Sequence, residues 1–309
     1  MIDFTVITVT KDNFVGFRKT RSSLEKQTYT NWSHVVIDGN SKDATYLYLE
    51  SLPIKNTFFI SEPDTGIYNA MNKGWMRAGE DSYVLYLNSG DTFAFDDSLE
   101  VAASYLVEKP QIEWGCTVHE EVEVNGENWV SKLASPVTVS NQLHAFGYRS
   151  HQSVVMKASF IKSLGGFNEN YRYAADWDLI VRAMLSSDPV VWRHALARFE
   201  LGGFSSQNLL QAHMELKSLR RKYLPRSLSY LFFDTLWEII YLSNLKKTKS
   251  IDRAIYNSLL SLSRLQSLFF KYLYIALHKK KLRSKVSRDS FYIKLVEIIH
   301  SKLGIKPYN

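Results

Sequence analysis

This sequence has almost no cysteine and no long apolar run. Cys116 is the only cysteine among 309 residues, which excludes a framework of disulfide bonds and favours a reducing compartment. No uncharged apolar stretch reaches the roughly 20 residues that a transmembrane helix requires. Residues 1–10 also lack the basic segment of a secretory signal and pass directly into a strand pattern. We therefore expect a cytoplasmic protein.

Composition is otherwise ordinary, but the charge is unevenly distributed. Hydrophobic residues make up 45% and charged residues 22% of the chain, which suits one large domain with a smaller second part. Residues 215–309 hold 20 of the 38 lysines and arginines but only 6 of the 31 acidic residues. Residues 1–214 are therefore net acidic. Such asymmetry points to an anionic membrane or a nucleic acid as the partner of the C-terminal part.

The C-terminal part combines apolar and basic patterns. Residues 228–242 and 255–277 are aromatic and amphipathic, and residues 279–285 form a basic run. Segments of this kind lie in the plane of lipid headgroups, and their apolar faces exceed what phosphate binding requires. We therefore expect no nucleic-acid partner, and a protein held peripherally at the inner face of the plasma membrane. A helical subdomain with a solvated basic side remains an open alternative.

Strand and helix patterns alternate in the first part of the chain. Short β-branched apolar runs predict strands at 4–10, 34–37, 57–60 and 83–87, and helical periodicity predicts helices at 14–27, 44–52 and 67–79. Alternation of this kind predicts a parallel sheet that binds ligands at the carboxyl ends of its strands. Shorter strands after about residue 110 predict a mixed arrangement, followed by a helix at 176–186. We divide the chain into a domain at 1–207 and a basic, membrane-associating helical region at 208–309.

Polar residues follow each predicted strand at the expected ligand edge. They occupy positions 10–12, 38–41, 62–64 and 88–91. Group transfer from a phosphate-bearing ligand at this edge would need a counter-charge for the leaving phosphates, a base for the accepting hydroxyl and a pocket for the rest of the ligand. A hard divalent cation held by a carboxylate such as Asp91 meets the first need. An aspartate after a strand also fits a turn or a helix cap.

Five sequence blocks stand out along the chain: 4–10 (FTVITVT), 36–45 (VIDGNSKDAT), 61–74 (SEPDTGIYNAMNKG), 87–91 (LNSGD) and 165–179 (GGFNENYRYAADWDL). In this order they resemble the family-two glycosyltransferases, which have a GT-A fold, and in particular bacterial enzymes of surface-polysaccharide biosynthesis. The resemblance implies an α/β, GT-A-like nucleotide-diphospho-sugar transferase fold with a mixed central sheet. The basic helical region lies outside it.

The resemblance also implies roles for ten residues. Asp176 is the implied general base and Asp91 the implied ligand of Mn²⁺ or Mg²⁺, although Asp176 also fits a helix N-cap. The family often has Asp-x-Asp where this chain has Asn88, but one carboxylate suffices for a weakly held metal bridged by substrate. Asp38 would accept a hydrogen bond from a uracil-like ring, and Lys73 would bind phosphate. The implied donor-binding residues are Thr10, Asp38, Asp64, Lys73, Asn88, Ser89, Gly90 and His151.

The activity implied is inverting transfer of a hexose or an N-acetylhexosamine. The donor would be a UDP-sugar, and the acceptor a lipid-linked oligosaccharide in capsule, O-antigen (lipopolysaccharide) or exopolysaccharide assembly. One alternative is a non-catalytic adaptor that binds a nucleotide sugar within a polysaccharide-synthesis complex. Another is a sugar nucleotidyltransferase, which would need an early glycine-rich phosphate loop that residues 9–17 do not contain.

Overall fold

The computed structural model describes residues 1–224, except 54, 119, 123–127, 131–138, 144–148 and 201–207. Within this part, Met1–Leu224 forms one compact unit. The segments at 228–242, 255–277 and 279–285, on which the expected membrane association depends, lie outside the described residues. No helix in the described part of the chain is long and apolar enough to cross a bilayer.

Strands and helices alternate through the first half of the unit, as predicted. The described strands are β1 Phe4–Thr10, β2 Trp32–Asp38, β3 Thr57–Ser61, β4 Tyr83–Tyr86, β5 Thr92–Phe93, β6 Trp114–Cys116, β7 Glu120–Val122, β8 Asn128–Val130, β9 Val154–Lys157, β10 Val190–Val191 and β11 Ala197–Glu200. The described helices are α1 Phe14–Glu25, α2 Thr45–Ser51, α3 Ile67–Trp75, α4 Ser98–Val107, α5 Val139–Leu143, α6 Ala158–Leu164, α7 Ala175–Ser186 and α8 Leu209–Tyr223. A 3₁₀ turn, His151–Ser153, precedes β9.

The central sheet has seven described strands in the order β10-β6-β9-β4-β1-β2-β3. Strands β3, β2, β1 and β4 are parallel, whereas β9 runs antiparallel to both β4 and β6. Every residue of β1 is buried, as expected for a strand with both faces covered. A second described sheet has the order β5-β11-β7-β8. The mixed α/β architecture predicted from the sequence is confirmed.

The carboxyl ends of the parallel strands meet at one rim of this sheet. Thr10 stands opposite Asp38 in the β1–β2 pair, and Asp38 stands opposite Ser61 in the β2–β3 pair. Beyond β4, the amide of Ser89 donates to the carbonyl of Val9 at 3.1 Å, so the ladder continues past the end of the strand. The polar segments that follow β1 to β4 are therefore neighbours, which is how sequence positions far apart form one site.

A buried hydrogen-bond chain crosses the sheet beneath this rim. Arg21 Nη1 donates to His34 Nδ1 at 2.9 Å, and His34 Nε2 donates to Thr8 Oγ1 at 2.9 Å. Thr8 Oγ1 donates in turn to the carbonyl of Leu87 at 2.8 Å. The guanidinium has no acceptor atom, so the proton of a neutral His34 lies on Nε2. Burial, with a smaller effect of the Arg21 charge, lowers the pKa of His34 to about 3.

Helix α8 belongs to the same compact unit as the sheet. Leu219 is fully buried in a cluster with Leu143, Ala174 and Val181, and α8 thereby packs against α5 and α7. The boundary predicted after residue 207 falls inside this unit, which extends to Leu224. Burial of apolar surface against α7 accounts for this position of α8.

Candidate active site

The turn at 88–91, between β4 and β5, is fixed by contacts with α1. The Thr20 hydroxyl donates to the Asp91 carbonyl at 2.7 Å and accepts from the Gly90 amide at 3.0 Å. Asn13 Nδ2 donates to the Ser89 carbonyl at 3.2 Å. Gly90 has a φ of 108°, a backbone conformation that strongly favours glycine. These contacts hold the turn and set the direction of its side chains.

The Asp91 carboxylate contacts the 3₁₀ turn that precedes β9. Gln152 Nε2 donates to Asp91 Oδ2 at 3.0 Å. Desolvation raises the pKa of Asp91 to about 6, and the opposing effects of Gln152 and His151 are smaller. A carboxylate that is poorly solvated and only partly hydrogen-bonded gains much from a nearby cation. Sequence analysis did not identify Gln152, although it directly follows His151.

His151 joins the 88–91 turn to Asp176. Asn88 Nδ2 donates to His151 Nε2 at 3.0 Å, and His151 Nδ1 donates to Asp176 Oδ2 at 3.1 Å. These roles describe a neutral imidazole with its proton on Nδ1. Asn88 Oδ1 is buried without a hydrogen-bond partner among the described residues. Since Asp91 and Asp176 contact successive residues of one turn, the structure brings these two aspartates together.

Asp176 lies in the first turn of α7, 7% exposed and held on both oxygens. The Tyr68 hydroxyl lies 2.9 Å from Asp176 Oδ1 and 3.0 Å from the Tyr173 carbonyl, and His151 contacts Oδ2. Burial and the adjacent Asp176 raise the pKa of Tyr68 well above its ordinary value. Ala174, not Asp176, is the N-cap residue of α7. The carboxylate is thus directed toward Tyr68 and His151, and the helix-cap interpretation does not apply.

Helix α8 fixes the start of α7 through two carboxylates. Glu215 on α8 accepts the backbone amides of Arg172 and Tyr173 at 2.8 Å and of Ala174 at 2.9 Å. Two turns further along α8, Lys222 and Tyr223 donate to Asp178 Oδ1 at 3.1 and 2.7 Å, and Arg182 donates to Oδ2 at 2.7 Å. Asp176 lies between these two attachments. Neither attachment was identified from the sequence.

The loops that follow β1 and β2 are locked together around Asp38. Asp38 is 0% exposed and accepts hydrogen bonds from the Ser41 amide, the Ser41 hydroxyl and the Ser61 hydroxyl. The Asp12 amide donates to Ser41 Oγ at 2.8 Å. The nearby Thr10 Oγ1 is buried without a partner among the described residues. Asp38 therefore lies at the predicted rim, but its carboxylate is used within the protein.

Asp64 and Lys73 also lie near this rim. Asp64 Oδ1 accepts the Gly66 amide at 2.9 Å. Lys73 Nζ lies 2.6 Å from Glu62 Oε1 and donates to the Pro63 carbonyl at 3.2 Å. The ammonium group thus makes two contacts within the β3–α3 loop and keeps a third N–H donor for another acceptor.

The described residues contain no group of three or more histidine, cysteine, aspartate or glutamate side chains placed to hold a metal ion. The turn offers two kinds of oxygen donor, the Asp91 carboxylate and Asn88 Oδ1, whereas the neighbouring His151 Nε2 already accepts a hydrogen bond from Asn88 Nδ2. Oxygen and imidazole donors suit Mn²⁺, and Mg²⁺ commonly takes one or two carboxylates with substrate phosphates. This donor set fits a cation that substrate helps to hold.

Two solved glycosyltransferases share the fold. The structure of S. aureus TarS 1-349 in complex with UDP-GlcNAc matches with a TM-score of 0.57 and 20% identity, over 71% of this chain and 65% of that chain. The mannosyltransferase PcManGT from Pyrobaculum calidifontis, in complex with GDP-Man and Mn²⁺, matches with a TM-score of 0.55 and 15% identity, over 89% and 86%. These likenesses establish the GT-A type of fold.

Sequence relatives agree with this assignment. An uncharacterised glycosyltransferase of Mycobacterium tuberculosis is 30% identical over 207 residues, which cover 65% of this chain and 76% of the relative. A PGL/p-HBAD biosynthesis glycosyltransferase of Mycobacterium bovis is 25% identical over 197 residues, covering 60% and 72%. The family model named Glycosyl transferase family 2 matches residues 5–164, more than half of the chain. The protein therefore belongs to glycosyl transferase family 2.

Proposed function

We propose that this glycosyltransferase acts with inversion and transfers a hexose or an N-acetylhexosamine from a UDP-sugar to a hydroxyl of a lipid-linked oligosaccharide. The observation that carries the proposal is the placement of Asp176 beside the 88–91 turn, with both carboxylate oxygens oriented by donors. TarS, whose structure contains UDP-GlcNAc, supports the choice of donor. Family membership favours transfer over the nucleotidyltransferase alternative.

Asp176 supplies the base that an inverting reaction requires. An acceptor hydroxyl is a weak acid, so a carboxylate assists by taking its proton as the bond to the anomeric carbon forms. Attack from the face opposite the leaving diphosphate needs one such base, in contrast to the paired carboxylates of glycosidases. Tyr68 and His151 orient Asp176, which lowers the entropic cost of reaching the reactive geometry.

Asp91 and Asn88 Oδ1 are the groups that would hold a divalent cation on the donor diphosphate. A bound Mn²⁺ or Mg²⁺ supplies counter-charge to the diphosphate as it leaves. The Mn²⁺ in the PcManGT complex supports this choice of cofactor. Desolvation without a counter-charge is what raises the pKa of Asp91. A cation bound beside Asp91 would supply that missing counter-charge.

Donor hydrolysis tests catalysis directly. UDP-, GDP- and dTDP-sugars are incubated with the protein and Mn²⁺, and the released diphosphate is measured for wild type and Asp176→Asn. Catalysis requires an active wild type and a variant that still binds UDP but turns over at least about a hundredfold more slowly. Asn88 stands where the family often has a metal-binding carboxylate, which leaves a non-catalytic adaptor as the alternative. If the protein is such an adaptor, both wild type and Asp176→Asn should bind UDP without turnover.

The proposed acceptor is membrane-bound, and the protein is proposed to lie at the inner face of the plasma membrane. The PGL/p-HBAD relative and the basic composition of residues 225–309 support an assignment to capsule, O-antigen or exopolysaccharide assembly. Since α8 packs against α7, we assign membrane association to residues 225–309 alone. The basic run at 279–281 would contribute roughly 1 kcal/mol per residue near an anionic leaflet.

Vesicle flotation tests the membrane proposal. The full chain should float with vesicles rich in phosphatidylserine and not with phosphatidylcholine alone. Replacing Lys279, Lys280 and Lys281 by glutamine should weaken binding by roughly two orders of magnitude. The matched control replaces the exposed Lys26, Lys55 and Lys109 of the compact unit and should float like wild type. Equal flotation of all three proteins, or of none, contradicts the proposal.

A further inference from the structure

The residue that the sequence pattern suggested for base recognition is not available to a ligand. Asp38 is 0% exposed, and its two oxygens accept hydrogen bonds from the Ser41 amide, the Ser41 hydroxyl and the Ser61 hydroxyl. A ligand N–H group could reach this carboxylate only by displacing groups that hold two loops together. Asp38 therefore acts as an internal support of the rim.

A different carboxylate occupies the space next to Asp38. Residue 39 is glycine, and a Cβ atom built there would lie 2.7 Å from Asp64 Oδ2 and 3.1 Å from Lys11 Cδ. The Asp64 carboxylate thus stands where a side chain on residue 39 would stand, at the carboxyl end of β2. Its other oxygen, Oδ1, accepts the Gly66 amide at 2.9 Å and fixes the orientation of the group. Asp64 Oδ2 has no hydrogen-bond partner in the described part of the chain.

A second polar group without a described partner lies at the end of the neighbouring strand β1. The Gly39 amide donates to the Thr10 carbonyl at 2.9 Å, which places Thr10 next to Gly39. Thr10 is 6% exposed, and its Oγ1 has no partner among the described residues. A buried hydroxyl without a partner is costly unless a ligand or water satisfies it. Thr10 Oγ1 is therefore buried without a partner, whereas Asp64 Oδ2 lacks a partner among the described residues but remains accessible to solvent or to a ligand.

We propose that Asp64, through Oδ2, is the residue that selects the nucleobase of the donor, and that it selects uracil. This inference rests on the proposed function. The imide N–H of uracil is a single donor between two carbonyls, which matches one free carboxylate oxygen. Guanine presents two adjacent N–H donors and is best matched by both oxygens of a carboxylate, whereas here Oδ1 is directed toward the Gly66 amide. Cytosine presents an unprotonated ring nitrogen, whose lone pair repels a carboxylate.

Binding of UDP, CDP and GDP by calorimetry, with Mn²⁺ present, tests the assignment. Wild type should bind UDP at least about tenfold more tightly than CDP. In Asp64→Asn the amide can donate to the cytosine ring nitrogen, so the UDP-to-CDP affinity ratio should fall by roughly tenfold or more. Asp38→Asn is the matched control. It should lower the melting temperature because it disturbs the Ser41 and Ser61 contacts, while the ratio stays at the wild-type value.

A second variant keeps every charged group and tests the geometry. Gly39→Ala places a Cβ atom against Asp64 Oδ2 and should weaken UDP binding by roughly tenfold while leaving pyrophosphate binding unchanged. An unchanged UDP-to-CDP affinity ratio in Asp64→Asn overturns the assignment. A fall in that ratio in Asp38→Asn, with no fall in Asp64→Asn, would assign base selection to Asp38 and also overturns it. A wild type that binds none of the three nucleotides overturns the proposed function itself, which separates the two failures.

Discussion

The hydroxyl of Tyr68 lies 2.9 Å from Oδ1 of Asp176, in a position where the tyrosine stays protonated. Burial and the neighbouring carboxylate both hold the pKa of Tyr68 well above its ordinary value. Tyr68 therefore remains a hydrogen-bond donor at any pH at which the protein works. Together with the His151 contact on Oδ2, this bond removes rotational freedom from the proposed base.

Tyr68→Phe removes the hydroxyl and keeps the ring that packs against Phe167. Loss of one hydrogen bond to a charged group should lower kcat for sugar transfer by roughly tenfold. KM for the donor should change little, because Tyr68 contacts Asp176 and not the donor end of the rim. Steady-state kinetics with saturating Mn²⁺ measures both parameters. A rise in KM at unchanged kcat would assign Tyr68 to donor binding instead.

Glu215→Ala should reduce turnover, although Glu215 lies on α8 and is not one of the proposed catalytic residues. It leaves the amides of Arg172, Tyr173 and Ala174 without their shared acceptor, which loosens the segment that leads to Asp176. We expect kcat to fall by about tenfold or more with an unchanged dissociation constant for UDP. Glu215→Gln retains one acceptor oxygen and should recover part of the loss.

Ser218→Ala is the matched control for α8, because Ser218 is exposed on the same helix. It should have wild-type kcat and melting temperature. The Glu215→Ala change should also have little additional effect in an Asp176→Asn background, since a positioning residue acts through the group that it positions. Equal fractional losses of kcat in both backgrounds would show that Glu215 does not act through Asp176.

The strands and the position of Asp91 could be predicted from local patterns, whereas the place of Asp176 beside it was implied by the family resemblance. Strand β1 begins and ends where the apolar run at 4–10 does, and α7 begins one residue before the predicted position at 176. The rule that parallel strands present ligands at their carboxyl ends places Asp91 near one shared rim. The strands and the rim depend on hydrophobic periodicity and chain direction, which can be determined from neighbouring residues in the sequence.

Other parts of the site depend on contacts between distant residues and were missed. Glu215 reaches the amide of Arg172 across 43 positions of sequence, so no local pattern indicates that α8 belongs to the folded unit. The burial of Asp38 depends on Ser61, which lies 23 positions away on a neighbouring strand. Motif position showed that Asp38 lies at the rim but did not give the direction of its side chain.

Asn88→Asp restores a second carboxylate beside Asp91. Asn88 Oδ1 is already buried without a described partner, so an added charge at this position should strengthen cation binding. We expect Mn²⁺ affinity in the presence of UDP to rise by roughly tenfold, whereas Asp91→Asn should abolish it. Manganese titration followed by electron paramagnetic resonance measures both. A weaker Mn²⁺ affinity in Asn88→Asp would indicate that the cation does not contact this turn.

Acid should destabilise the fold through His34, a buried residue of β2 that is not part of the proposed active site. The pKa of His34 is about 3 in the folded protein, against roughly 6.5 in an unfolded chain, so the unfolded state binds the extra proton between these values. The stability that neutral His34 contributes is complete above about pH 6.5 and is lost as pH falls toward 3.

Urea unfolding of wild type and His34→Gln measures this contribution, because glutamine cannot titrate but keeps a donor and an acceptor. Other groups also titrate, so the informative quantity is the difference in unfolding free energy between the two proteins. That difference should shift against wild type by roughly 3 kcal/mol between about pH 7.5 and pH 4.5. A difference that stays constant across this range would mean that His34 takes up its proton in the folded protein, and the hydrogen-bond chain from Arg21 to Leu87 would then need another arrangement.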